Sequence, residues 1–132
     1  MRRSILLVGL LIPISGCAAP AARIDDRILA EPHLAIAAAQ VRRCYRWPRV
    51  SHSGRQIVTV LRVRLTEQGF PDGLPIVVDQ LGVSASNQAF ADRMAQAAIG
   101  AVVRCSPLRL PTELYRRGWR EFELTFSPLA AA

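Results

Sequence analysis

Residues 87–105, NQAFADRMAQAAIGAVVRC, form the longest segment whose apolar residues recur with a helical period. Phe90, Met94, Ala97, Ala98, Ala101 and Cys105 fall at i, i+4, i+7, i+8, i+11 and i+15, which places them on one face. The small residues Ala97, Ala98, Gly100 and Ala101 leave little bulk there, so such a helix can lie close to a flat partner such as a β-sheet. Ser86 or Asn87 can accept from a free N–H at its start, and Arg104 sits near the negative end of its dipole. A chain built around this helix must supply a flat apolar surface for it to cover.

Segments on both sides of the helix supply that surface. Residues 57–66 alternate, with Ile57, Thr59, Leu61, Val63 and Leu65 on one face and Arg62 and Arg64 on the other. Gly69, Pro71, Asp72 and Gly73 are turn signals leading into a second strand over 74–80, and the simplest pairing is an antiparallel hairpin. Residues 119–126 alternate again, with Phe122, Leu124 and Phe126 inward and Glu121, Glu123 and Thr125 outward. Pro107 and Pro111 stop the helix before that strand. Further upstream, Leu34, Ala37, Ala38, Val41, Cys44 and Tyr45 share a helical face over 32–45, with Pro32 suited to a first-turn position. The loop over 46–55 holds Pro48, Ser51, Ser53 and Gly54. The order α-β-β-α-β predicts an α+β domain: a three-stranded antiparallel sheet with helices packed on one face.

The N-terminus predicts an exported, lipid-anchored protein. Two arginines precede an apolar run over 5–14 that is too short for a membrane span and is interrupted by Pro13. Residues 1–16 read as a signal peptide, because Ile14-Ser15-Gly16-Cys17 resembles the lipobox of bacterial lipoproteins. That resemblance makes Cys17 the acylated mature N-terminus, and several acyl chains hold a membrane firmly where one is marginal. Ala18 in place of an aspartate points to the outer membrane rather than the inner in the sorting pattern it resembles. Residues 17–33 then form the lipidated end and a linker, roughly 50 Å if extended.

Lipidation of Cys17 leaves Cys44 and Cys105 as an even pair in an oxidising compartment, where a disulfide near the C-terminal ends of the two helices is expected. Two buried thiols are the alternative. No C-x-x-C occurs, and His33 and His52 lack a metal-ligand pattern, so no metal or cofactor is expected.

All 17 basic residues are arginine, and the net charge is +7. No aromatic-interleaved basic stripe or nucleic-acid motif accompanies them, so the excess is read first as compositional and nucleic acid is not an expected partner. Seven arginines between positions 42 and 64 nevertheless have no acid between Glu31 and Glu67, which makes a locally positive region a second candidate surface. Gly82-Val83-Ser84-Ala85-Ser86 nearly matches a nucleophile elbow, but it lacks the final glycine and a credible histidine and acid. It reads as a loop and helix cap, and no catalytic residues are assigned.

Several stretches together resemble the C-terminal domain of TolA, most closely its alphaproteobacterial form, and the similar domain of TonB. They are Val41-Arg42-Arg43-Cys44-Tyr45 with Pro48, the strand over 57–65 followed by Gly69, and Ala97-Ala98-Ile99 through Val103-Arg104-Cys105. Leu110-Pro111 to Tyr115, Trp119-Arg120 and Leu124-Thr125-Phe126-Ser127-Pro128 complete the set. The likeness covers residues 34–129 and departs from the pattern at Gln68 and in the spacing from Tyr115 to Trp119. TolA and TonB proper carry a spanning anchor and a long spacer, where this chain has a lipobox and a short linker.

The resemblance implies a cell-envelope lipoprotein that faces the periplasm and binds a Tol-Pal or TonB-type envelope protein by strand addition, a mode in which an extended segment pairs with an open sheet edge. Carried over, Arg120, Glu121, Phe122, Glu123, Leu124 and Thr125 would form the docking strand. The alternative is a structural lipoprotein that meets anionic envelope components with its arginine-rich face.

Overall fold

The protein is represented by a computed structural model in which residues 22–128 are described. The proposed signal peptide and Cys17 lie outside the described residues. The elements in order are α1 (Ala22–Arg43), β1 (Val58–Arg64), β2 (Ile76–Leu81), α2 (Ala91–Arg104), α3 (Thr112–Arg116) and β3 (Glu121–Phe126). Short 3₁₀ turns at Gly54–Gln56 and Gln88–Phe90 precede β1 and α2. The strands form one antiparallel sheet in the order β2-β1-β3, so the expected α+β architecture is the one found.

Period-two burial builds the sheet's inner face. Ile57, Thr59, Leu61, Val63 and Leu65 are buried while Arg62 and Arg64 are exposed. In β3, Phe122 and Leu124 are buried, Phe126 is half-buried, and Glu121, Glu123 and Thr125 are exposed. The core lies between this face and the helices. It joins Leu61, Val63, Leu65, Phe122 and Leu124 to Ala98, Ala101 and Val102 of α2, Val41 of α1, and Leu108. Each large aliphatic side chain taken from water there contributes roughly 1.5–3 kcal/mol. Ala98 and Ala101 are fully buried, as a helix lying close to a sheet requires. Gly100 belongs to a different contact: a Cβ there would meet Arg104 Nη1 at 2.9 Å, so its smallness serves the Arg104 side chain rather than the sheet.

Two glycines set close approaches. Gly69 has φ +89°, and a Cβ on it would run into the carbonyl oxygen of Leu108, whose N–H donates to Gly69 O at 2.8 Å. Gly82, at φ +76°, lies against the carbonyl of Gln56. Thr59 Oγ1 accepts from Gln80 Nε2 at 3.2 Å, and the same amide donates to Ala91 O at 2.9 Å, tying β2 to the start of α2.

Two expectations are revised. First, the helix anticipated from Pro32 begins at Ala22 and holds Pro32 inside it, so residues 22–33 are helical rather than an extended linker. Proline removes one intrahelical bond, but the alanines and long side chains around it are strong helix formers. At 1.5 Å per residue this segment also reaches less far than an extended chain.

Second, Asn87 does not cap α2. It is buried; its Oδ1 accepts from Ser84 N at 2.8 Å, and its Nδ2 donates to Ser53 O and Gly82 O, each at 2.9 Å. It fastens two loops, and Gly82-Val83-Ser84-Ala85-Ser86 forms the turn that it holds. Arg104 lies in the last turn of α2, as expected, and also reaches beyond its own helix, donating through Nε and Nη2 to Cys44 O at 3.3 and 2.9 Å, just past the end of α1. Its charge thus complements the negative end of the neighbouring helix.

Candidate functional site: the outer edge of the third strand

The register between β1 and β3 decides which backbone groups of β3 remain open. Thr59, Leu61 and Val63 stand opposite Phe126, Leu124 and Phe122. Leu65 N donates to Arg120 O at 2.7 Å, which identifies this series as the pairs that exchange hydrogen bonds. Phe122, Leu124 and Phe126 therefore direct their N–H and C=O groups toward β1, whereas Glu121, Glu123 and Thr125 direct theirs away. Nothing among the described residues pairs with that outer edge. Of the six residues assigned to a docking strand, Glu121, Glu123 and Thr125 have backbone available to a partner. Arg120, Phe122 and Leu124 are committed to β1.

The opposite edge of the sheet is less regular. Val60 faces Asp79 and Leu61 faces Val77, so Val78 is an extra residue that breaks the ladder of β2. Pro75, immediately before β2, has no N–H to offer. Bulges and prolines of this kind discourage pairing even where apolar side chains are exposed, as Ile76 and Leu81 are. β3 has neither device.

A groove of about 220 Å³ runs between α1 and the C-terminal half of β3, lined by Ala38, Val41, Arg42, Tyr45, Trp47, Leu124, Phe126 and Pro128 among others. A single water needs only ~10–15 Å³, so side chains can enter. Aromatic contacts fix its floor: the Tyr45 ring meets Trp47 edge-on at 5.6 Å between centroids, and Phe126 at 6.0 Å. Burial pushes the Tyr45 phenol above its ordinary pKa, since the phenolate would lose hydration there. The sequence placed Val41 and Tyr45 on an apolar helix face. It gave no sign that this face stops short of β3 and leaves a trough, because that depends on how α1 is seated.

The fastening of α1 is covalent and polar. Cys44 and Cys105 form a disulfide with Cα atoms 5.6 Å apart, within the ordinary range for such a bridge. Gln40 Nε2 donates to Cys105 O at 2.8 Å and Pro107 O at 2.9 Å, and Gln40 Oε1 accepts from Arg109 N at 3.0 Å.

On the sheet's outer face a charged ladder crosses from β1 to β3. Arg64 Nη2 reaches Glu121 Oε2 at 2.7 Å, Arg62 Nε reaches Glu121 Oε1 at 3.7 Å, and Arg62 Nη2 reaches Glu123 Oε1 at 3.5 Å. The Arg64 hydrogen bond is the main reason the Glu121 carboxyl is held below the usual carboxylate range, and it raises the Arg64 pKa in turn. The positive region read over 42–64 is therefore divided. Arg62 and Arg64 are paired, while Arg42, Arg43, Arg46, Arg49 and Arg55 have no acid partner among the described residues.

Among the described residues no three His, Cys, Asp or Glu side chains converge on a point that could hold a metal, and no helix is long and apolar enough to cross a membrane. Comparison of the chain with protein-family models, curated proteins and solved structures returns no match in any of the three.

Proposed function

We propose that this chain is a periplasm-facing envelope lipoprotein, anchored through Cys17, whose domain captures an envelope protein of the Tol-Pal or TonB-linked kind by strand addition along β3. The observation that carries this reading is the open and regular edge of β3 beside an aromatic groove. An extended segment gains main-chain hydrogen bonds from Glu121, Glu123 and Thr125, and pockets for alternate side chains set its specificity. The bulged β2 edge makes β3 the favoured side.

Proline at position 121 or 123 removes an N–H from the open edge without taking one from the β1 ladder. Capture of envelope proteins from a solubilised membrane extract should therefore fall sharply in Glu121→Pro and Glu123→Pro variants that keep wild-type far-UV circular dichroism. Unchanged capture would overturn strand addition. The anchor is tested separately by mass: the mature protein should begin at Cys17 and carry acyl chains.

A second reading rests on the five arginines that lack acid partners. Arg42, Arg43, Arg46, Arg49 and Arg55 cluster around the end of α1 and the loop after it, where they suit anionic envelope components. Replacing Arg43, Arg46 and Arg49 with glutamine should abolish salt-sensitive binding to anionic vesicles if that surface is the working one, and leave strand capture intact.

A further inference from the structure

Strand addition at β3 is the premise here, and the two faces of that strand specify the sequence that can add to it. A segment paired with the edge alternates its side chains between the faces of the sheet. Its residues opposite Glu121, Glu123 and Thr125 share the outer face with those side chains, at Cβ separations of about 4.5–5.5 Å. The intervening residues turn toward α1, and those beside Leu124 and Phe126 enter the groove.

Charge separates the two sets. On the outer face Glu123 meets a cation through Oε1 alone, its side chain is 55% exposed, and its Oε2 has no partner among the described residues. Glu121 lies two residues away on the same face. On the other side the groove is walled by Ala38, Val41, Tyr45, Trp47 and Phe126, and Arg42, which has no acid partner among the described residues, is one of its lining residues. A cation opposite Glu123 extends the Arg–Glu ladder from β1 across a third strand. Turned into the groove, the same cation would meet Arg42 and lose hydration against aromatic rings. A one-residue slip exchanges the two sets completely.

A second copy of this chain is a poor occupant. Of the two antiparallel registers that centre β3 on itself, one sets Glu123 against Glu123, directly opposed like charges, and the other sets Glu123 against Thr125; neither places a cation beside Glu121 or Glu123. We infer that the natural occupant is a different protein offering an extended segment of alternating basic and apolar residues, with its basic side chains beside Glu121 and Glu123 and its apolar ones in the groove.

The test uses the full chain and three eight-residue peptides: alternating lysine and valine, alternating glutamate and valine, and four valines followed by four lysines. Binding is read by amide hydrogen-exchange protection at Glu121, Glu123 and Thr125 and by the Trp47 indole resonance. The alternating lysine peptide should protect all three amides and bind about ten-fold tighter than either other peptide. The double variant Glu121→Gln with Glu123→Gln should erase that preference while keeping the protection.

Equal protection by the lysine and glutamate peptides would overturn the charge pattern and leave strand addition standing. Protection by none of the three would overturn both. A ten-fold preference that persists in the double variant would also overturn the assignment, because the selecting groups would then lie elsewhere.

Discussion

Single side chains show how the same residue type takes different duties. Asn87 looks in sequence like a helix cap, yet it is buried with its amide bonded to Ser84, Ser53 and Gly82. Asn87→Ala removes all three hydrogen bonds between the loops, a loss of about 1–3 kcal/mol, which urea unfolding of the oxidised protein should report as a lower midpoint with an unchanged slope. The partner at Ser53 is 34 residues distant, and no local pattern announces it.

Glu121 is the residue whose charge state senses acid. Its carboxyl is depressed in the folded protein, chiefly by the hydrogen bond from Arg64, so its contribution to stability is present above the unfolded carboxyl's ordinary value. That contribution is lost as pH falls through the lowered folded value. Urea midpoints of wild type and Glu121→Gln should differ at pH 6 and draw together by pH 3. A constant gap would mean that the ion pair is not the source of the shift.

At the scale of elements, the seating of α1 matters most, since it makes one wall of the groove. Its apolar face was legible from spacing: Ala37 and Val41 are buried and Leu34 and Ala38 partly so, while Tyr45, read onto the same face, lies two residues past the helix end. Its start was not, because Pro32 is compatible with either a first turn or an interior position and only the continuation of backbone bonding decides between them. The bridge from Cys44 closes a long loop to Cys105, for which chain entropy sets an upper stabilisation of about 4 kcal/mol. Reduction, or Cys44→Ala with Cys105→Ala, should lower the thermal midpoint. It should also weaken binding at the β3 edge more than Leu34→Ala does, because the bridge holds the chain just past α1, next to Tyr45. Calorimetry and the peptide titration above measure both.

Across the whole molecule the sheet has two borders with different protection, and hydrogen exchange can read the difference without any partner. Amides of Phe122, Leu124 and Phe126 should exchange slowly because they donate to β1, while those of Glu121, Glu123 and Thr125 exchange rapidly in the free protein. Slow exchange at the second set would mean that something already covers the edge, and the functional proposal would fail with it.

Periodicity determined the order of the longer elements, though not the five-residue α3, together with the inward faces of β1 and β3 and the covering helix, because burying apolar side chains on a 2.0- or 3.6-residue repeat is a local property of the chain. Cysteine parity narrowed the choice to a bridge or a buried pair of thiols. Tertiary structure decided which strand became the central one, where β2 was interrupted, which alternate amides of β3 face outward, and that a trough opens beside them. Those outcomes depend on register and on the seating of one element against another, and contacts between residues dozens of positions apart leave no repeat in the sequence.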